Sequence, residues 1–197
     1  MNLRWTPAVT KESHNGTHEV QLYAELLTNR NIFLQGEINR DLANEFLTQF
    51  LYLNSQGTEE IKIYINSPGG EITSGLVVYD LIQSSPSPIK LYCTGLAASM
   101  AAIIFAGGKK GNRFILPHSK VMIHEPLISG GVGGSATSIK NISDSILKTK
   151  ELVNQILSKH TGKSIEEIET ATSFDNYLNA EEAVEFGICD QITSNII

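Results

Sequence analysis

Twice in this chain an apolar run of strand length gives way to a loop of small residues and then to a stretch with helical spacing. That repetition constrains the fold more than any other feature. Residues 61–66 (Ile61-Lys62-Ile63-Tyr64-Ile65-Asn66) are mostly β-branched or aromatic, and Ser67-Pro68-Gly69-Gly70 interrupts them. Residues 72–83 then carry Leu76, Tyr79 and Leu81 or Ile82 at helical intervals, and Pro86 and Pro88 close the run. Residues 89–93 begin the second copy: an apolar strand, the small-residue segment Gly95-Leu96-Ala97-Ala98, and a helix starting near Ser99 and ending at Gly107-Gly108. Strands joined through helices lie parallel, because the crossover returns the chain to the same end of the sheet. Two further strands at 113–116 and 121–123 complete the prediction of a parallel α/β core.

Upstream, Val20, Tyr23, Leu26 and Leu27 sit at helical spacing, which predicts a helix over 19–27, followed by a short strand over 31–36. Asn39 is placed to cap a helix through about Leu53, with Leu42, Phe46, Phe50 and Leu53 on one face. Downstream, Ile139, Ile142, Ile146, Val153 and Ile156 define the longest helix, over 137–159. Ser164 with Glu167 and Asn179 with Glu182 are capping boxes for two short helices, the second stopping at Gly187 before a closing strand over 188–192. No linker tract or repeat interrupts the pattern apart from the glycine-rich residues 129–135, so the 197 residues are expected to form one domain.

A net charge of −6 offers no basic face and argues against nucleic-acid binding. Cys93 and Cys189 stand far apart with no histidine at metal spacing, which predicts neither a zinc site nor a disulfide framework. The N-terminus lacks a long apolar core and no uncharged apolar run reaches eighteen residues, so a soluble, cytoplasmic protein with no membrane role is expected.

Chemistry is suggested at the two joints, because ligands in open α/β sheets bind beyond the carboxyl ends of the strands. Ser99 falls where a strand hands over to a helix, near free N–H groups and the positive end of the dipole. Met122-Ile123-His124-Glu125-Pro126 offers a base. From residue types alone, Ser99 is more often a helix cap than a nucleophile, and Ser67-Pro68-Gly69-Gly70 is as readily a tight turn as an oxyanion hole. The segment around Ser99 is not GxSxG, neither glycine-rich stretch ends as a P-loop does, and Glu166-Glu167 and Glu181-Glu182 read as favourable charges in first helical turns.

Asn66-Ser67-Pro68-Gly69-Gly70, Gly95-Leu96-Ala97-Ala98-Ser99-Met100 and Met122-Ile123-His124-Glu125-Pro126 together resemble the motifs of the proteolytic subunit of the Clp protease (ClpP family, peptidase family S14). The likeness runs in order from about Tyr23 to Ile192. It includes Gly111-Asn112-Arg113-Phe114-Ile115-Leu116-Pro117, His160-Thr161-Gly162 and the stretch from Ala180 to Gly187. The resemblance implies a ClpP/crotonase fold, with stacked β-sheets, surrounding helices and a protruding handle over about 126–160. It implies a serine endopeptidase that assembles as two stacked seven-subunit rings, a tetradecamer fed with unfolded proteins by a AAA+ unfoldase of the ClpX, ClpA or ClpC type. ATP would be used by that partner, and this subunit would carry no cofactor and no metal. A plastid stroma replaces the cytoplasm if the source is photosynthetic.

Carried over by alignment, Ser99 is the nucleophile, His124 the general base and Asp175 the group that orients it, with the N–H groups of Gly70 and Met100 binding the oxyanion. Spacing does not select Asp175 over Asp144 or Asp190; its choice rests on the match of Phe174-Asp175-Asn176-Tyr177-Leu178 to the family. His118, after a proline at a turn, reads as a surface histidine. Several positions depart from the pattern. Residues 1–18 form a divergent N-terminal axial segment ahead of the peptidase domain at 19–197, and Lys62 falls where an apolar docking-pocket residue is usual. The stretch between Pro126 and Ala136 is about two residues long for the family, and Ser173-Phe174 replaces an acidic residue and an arginine that pair across rings. These departures suggest a specialised, weakly active structural subunit of a mixed ring, working beside a second ClpP paralogue, as the alternative function. An acyl-CoA enzyme of the crotonase type is a further one.

Overall fold

The computed structural model describes residues 7–14, 16–128 and 130–196. Trp5 and Thr6 of the divergent N-terminal pattern lie outside the described residues, as do Asn15 and Ser129. The chain opens with an antiparallel hairpin of β1 (Ala8–Ser13) and β2 (Gly16–Gln21), then α1 (Leu22–Thr28). The helix expected over 19–27 therefore splits at Gln21, and the proposed boundary at residue 18 falls inside β2. The spacing of Val20 to Leu27 mimics a helical stripe across a strand–helix junction. Lys11 ion-pairs with Glu25 at 2.5 Å and the Leu22 N–H donates to the Pro7 carbonyl, so the hairpin is fastened to α1.

Beyond it come β3 (Asn31–Gln35), α2 (Arg40–Gln56), β4 (Ile61–Ser67), α3 (Ile72–Gln83), β5 (Ile89–Ala98) and α4 (Met100–Ala106). These are followed by β6 (Arg113–Ile115) and β7 (Lys120–Ile123). The predicted Asn39 cap is present, its Oδ1 accepting from the Leu42 N–H at 2.9 Å. The sheet runs β3-β4-β5-β6 in parallel, as the crossovers require. Ile32, Leu34, Ile61, Ile63, Ile65 and Leu91 are among its fully buried side chains. Phe46, Phe50 and Leu53 of α2, Val78 and Ile82 of α3, and every residue of α4 join the same apolar cluster. A helix buried on all sides must be apolar on all sides, and Met100-Ala101-Ala102-Ile103-Ile104-Phe105-Ala106 is.

β5 runs five residues past its predicted end and serves two sets of neighbours. Residues 91–93 pair with β6, while Leu96, Ala97 and Ala98 pair with β7. Between Ile65↔Cys93 and Ser67↔Ala97 the register shifts, and this irregularity lets β5 leave β6 and deliver Ser99 beside β7.

The remaining elements are α5 (Ala136–Thr161), α6 (Ile165–Thr172), β8 (Asn176–Leu178), α7 (Ala180–Phe186) and β9 (Gln191–Ile192). Both capping boxes are present. β9, parallel to β6, is shorter than the closing strand expected over 188–192, because Ile188 and Cys189 are buried outside any strand. β8 was not legible as a strand; it pairs with β7 and is antiparallel, the exception in a sheet otherwise predicted as parallel. Among the described residues no strand forms between β7 and α5. No residue from 136 to 152 on α5 is buried, whereas Val153, Asn154, Ile156 and Leu157 are, so the helix joins the core only in its last third.

Candidate active site

Ser99 sits at the N-cap of α4 with φ 53° and ψ −122°, a conformation L-residues adopt only under strain. A capping serine would be extended and would turn its hydroxyl onto its own helix. Ser99 makes no such bond. Its backbone is held instead from both sides: its N–H donates to the Met122 carbonyl at 2.8 Å, and its carbonyl accepts from Ala102 and Ile103. The hydroxyl is thereby left to face outward, and its Oγ lies 2.8 Å from His124 Nε2.

His124 follows the last residue of β7, and its other ring nitrogen, Nδ1, is 3.2 Å from Asp175 Oδ1. Register explains how residues so distant in sequence meet. β8 runs antiparallel to β7 with Ile123 opposite Asn176, and one step further along that pairing sets His124 opposite Asp175. The imidazole is largely buried, but the Asp175 side chain is 64% exposed in the isolated chain, so water screens this ion pair. Of the other acids left open by spacing, Asp144 pairs with Lys140 on α5 and Asp190 with Arg113, both away from His124. His118 is exposed on the turn after β6.

The loop Ser67-Pro68-Gly69-Gly70 lies against Ser99. Gly69 has φ 89°, and a Cβ there would stand 2.7 Å from Ser99 Cβ and 2.9 Å from the Met100 nitrogen, so only glycine permits the approach. Gly70 bridges to Ile38, whose amide donates to Gly69 and whose carbonyl accepts from Glu71. Among the described residues the amides of Gly70 and Met100 donate no hydrogen bond. Both residues line one cleft of about 510 Å³ with Ser99 and His124, and Ile72, Ile103, Met122 and Val153 give that cleft apolar walls. Two fixed amides beside a hydroxyl already engaged with an imidazole can stabilise negative charge on a carbonyl oxygen under attack.

Sequence reasoning missed Glu125 as a member of this cleft, where its carboxylate pairs with Lys150 of α5 at 2.6 Å. No spacing rule links residues 25 apart across an irregular segment. Among the described residues no group of three or more His, Cys, Asp or Glu is placed to hold a metal ion. No described helix is long and apolar enough to cross a membrane. The order of elements, the mixed α/β sheet and the constellation at its strand ends agree with a comparison against family models, in which the model described as Clp protease matches residues 14–195. The chain belongs to the Clp protease family.

Proposed function

We propose that this chain is a serine endopeptidase subunit of a barrel-shaped, ATP-dependent Clp protease, with Ser99 as nucleophile, His124 as general base and Asp175 as the orienting acid. The observation that carries this reading is the pair of contacts on one imidazole, 2.8 Å to the Ser99 hydroxyl and 3.2 Å to the Asp175 carboxylate, at a cleft with two undonated amides. Close contact of Ser99 with His124 favours a hydrolytic subunit over a purely structural one.

With the Nδ1 proton donated to Asp175, Nε2 is left as an acceptor for the Ser99 hydroxyl proton. As Oγ bonds to the scissile carbonyl carbon, that proton passes to Nε2, and the carbonyl oxygen takes up negative charge facing the Gly70 and Met100 N–H groups. The imidazolium returns its proton to the leaving amine, giving an acyl-enzyme. Water then attacks the ester by the same proton route and restores Ser99. The apolar walls suit an aliphatic or aromatic substrate side chain beside the bond cut, and an unfolded polypeptide can enter such a cleft in extended form.

Assembly into paired seven-membered rings is part of the same proposal. It is supported by the exposed apolar residues Ile139, Leu147 and Leu152 on the projecting α5. Lys62 lines a surface groove with Leu26, Phe33 and Tyr64, which we assign as the docking place of a AAA+ unfoldase that spends the ATP. Hydrolysis of a fluorogenic peptide by wild type and by Ser99→Ala tests the chemistry. Activity should fall to background in the variant while particle size stays unchanged; cleavage by Ser99→Ala at the wild-type rate would refute the assignment.

A further inference from the structure

We propose that Glu125 and Lys150 act as positioning residues for His124 and Asp175, a strap that rests on the peptidase reading and adds two residues to it. His124 stands at the end of regular structure. β7 stops at Ile123, and the described residues from 126 to the start of α5 belong to no strand or helix. A strand end followed by an unpaired segment frays unless something fastens it.

Glu125 fastens it two ways. Its N–H donates to the carbonyl of Thr172 at 2.7 Å, the last residue of α6 and only three before Asp175. Its side-chain Oε2 lies 2.6 Å from Lys150 Nζ on α5. Its own backbone continues directly from His124. One residue therefore ties the base, the approach to the orienting acid, and the long helix. The Glu125 hydrogen bond and charge, with a smaller contribution from the charge of Glu169 on α6, hold the Lys150 ammonium above its ordinary range.

The need for such a strap follows from Asp175 itself. Its carboxylate is mostly in water and reaches the imidazole from the residue just before a three-residue strand, so the ion pair alone holds the ring weakly. The distance between Nδ1 and the carboxylate depends on how firmly residues 123–125 and 172–176 are held together.

An exposed ion pair that only adds stability contributes little, and the Lys150 and Glu125 side chains are 31% and 46% exposed. Positioning is distinguished by a loss in turnover out of proportion to the change in melting temperature. The test compares the assembled full-length protein with Glu125→Gln, Lys150→Gln and the conservative Lys150→Arg in steady-state peptide hydrolysis. Each glutamine variant should lower kcat about ten-fold with KM changed by less than about two-fold, and Tm should move by no more than about 4 °C. Lys150→Arg, which keeps a cation for the Glu125 carboxylate, should hold kcat to within about three-fold of wild type. Unchanged kcat in both glutamine variants, or a Lys150→Arg as slow as Lys150→Gln, overturns the strap.

Lys150→Gln leaves the cleft lining intact and serves if Glu125→Gln does not fold. A wild type inert towards peptides would defeat the peptidase reading. The strap is then judged by crystal structures of wild type and Lys150→Gln: loss of the His124–Asp175 contact in the variant supports it, and an unaltered contact overturns it.

Discussion

Ser99 and Gly69 are two residues whose backbones take conformations that their neighbours enforce, and each constrains the other. A serine at positive φ costs on the order of 1–3 kcal/mol, which the pairing of β5 with β7 and the buried α4 offset. The places of Ser99 and His124, at a strand end before a helix and a strand end before a proline, were legible in the sequence, but residue types alone favoured a helix cap at Ser99, and the roles of both came from the family resemblance. Asp175 was not, because its place is set by a three-residue antiparallel strand whose register no spacing reveals; only the family alignment singled it out. Its role is open to a direct check. Asp175→Asn should lower turnover by about 10²–10⁴ through loss of the correct imidazole tautomer, with KM little changed. A near-wild-type kcat would move the orienting role to another group.

Among the elements, strands and helices with strong periodicity were legible, and those at junctions were not. The Asn39 cap, both capping boxes and the two strand–loop–helix repeats follow from residues close in sequence. The β1–β2 hairpin was hidden because its exposed strands carry little apolar alternation. The ends of α4, α5 and α7 meet at Arg113, whose guanidinium donates to the carbonyls of Ala106, His160 and Gly187 and pairs with Asp190. Burial pushes the Asp190 carboxyl up, but the Arg113 hydrogen bonds and charge outweigh it and hold the group below its ordinary range.

His160, at the end of α5, meets the Tyr79 hydroxyl at 2.8 Å. Burial, then the charges of Lys159 and Arg113, lower its pKa below the usual 6.5. The folded state thus binds this proton less readily than the unfolded chain. Its contribution to stability is full above pH 6.5 and is lost as pH falls through that value towards the lower folded one. Denaturation of wild type and His160→Gln across this range should show the variant with the flatter pH dependence. Parallel curves would remove His160 from the linkage.

At the scale of the whole molecule, α5 leaves the large apolar side chains Ile139, Leu147 and Leu152 uncovered. Ile139 and Leu147 are 44% and 58% exposed on a stretch with no buried residue, a pattern poorly suited to water. Helical periodicity alone could not separate a core helix from one that packs on another subunit; the exposure of residues 136–152 favours the second. Under the proposed paired-ring assembly, Ile139→Asp should shift native mass from paired to single rings, and an unchanged mass would contradict a ring-to-ring contact on this helix.

The peptidase proposal as a whole stands on one activated hydroxyl. Treatment of the intact particle with a fluorophosphonate, followed by mass spectrometry of its peptides, reads that hydroxyl directly. A single adduct on Ser99, lost when His124 is replaced by alanine, is expected; a particle that takes up no label, or takes it on another residue, would contradict it.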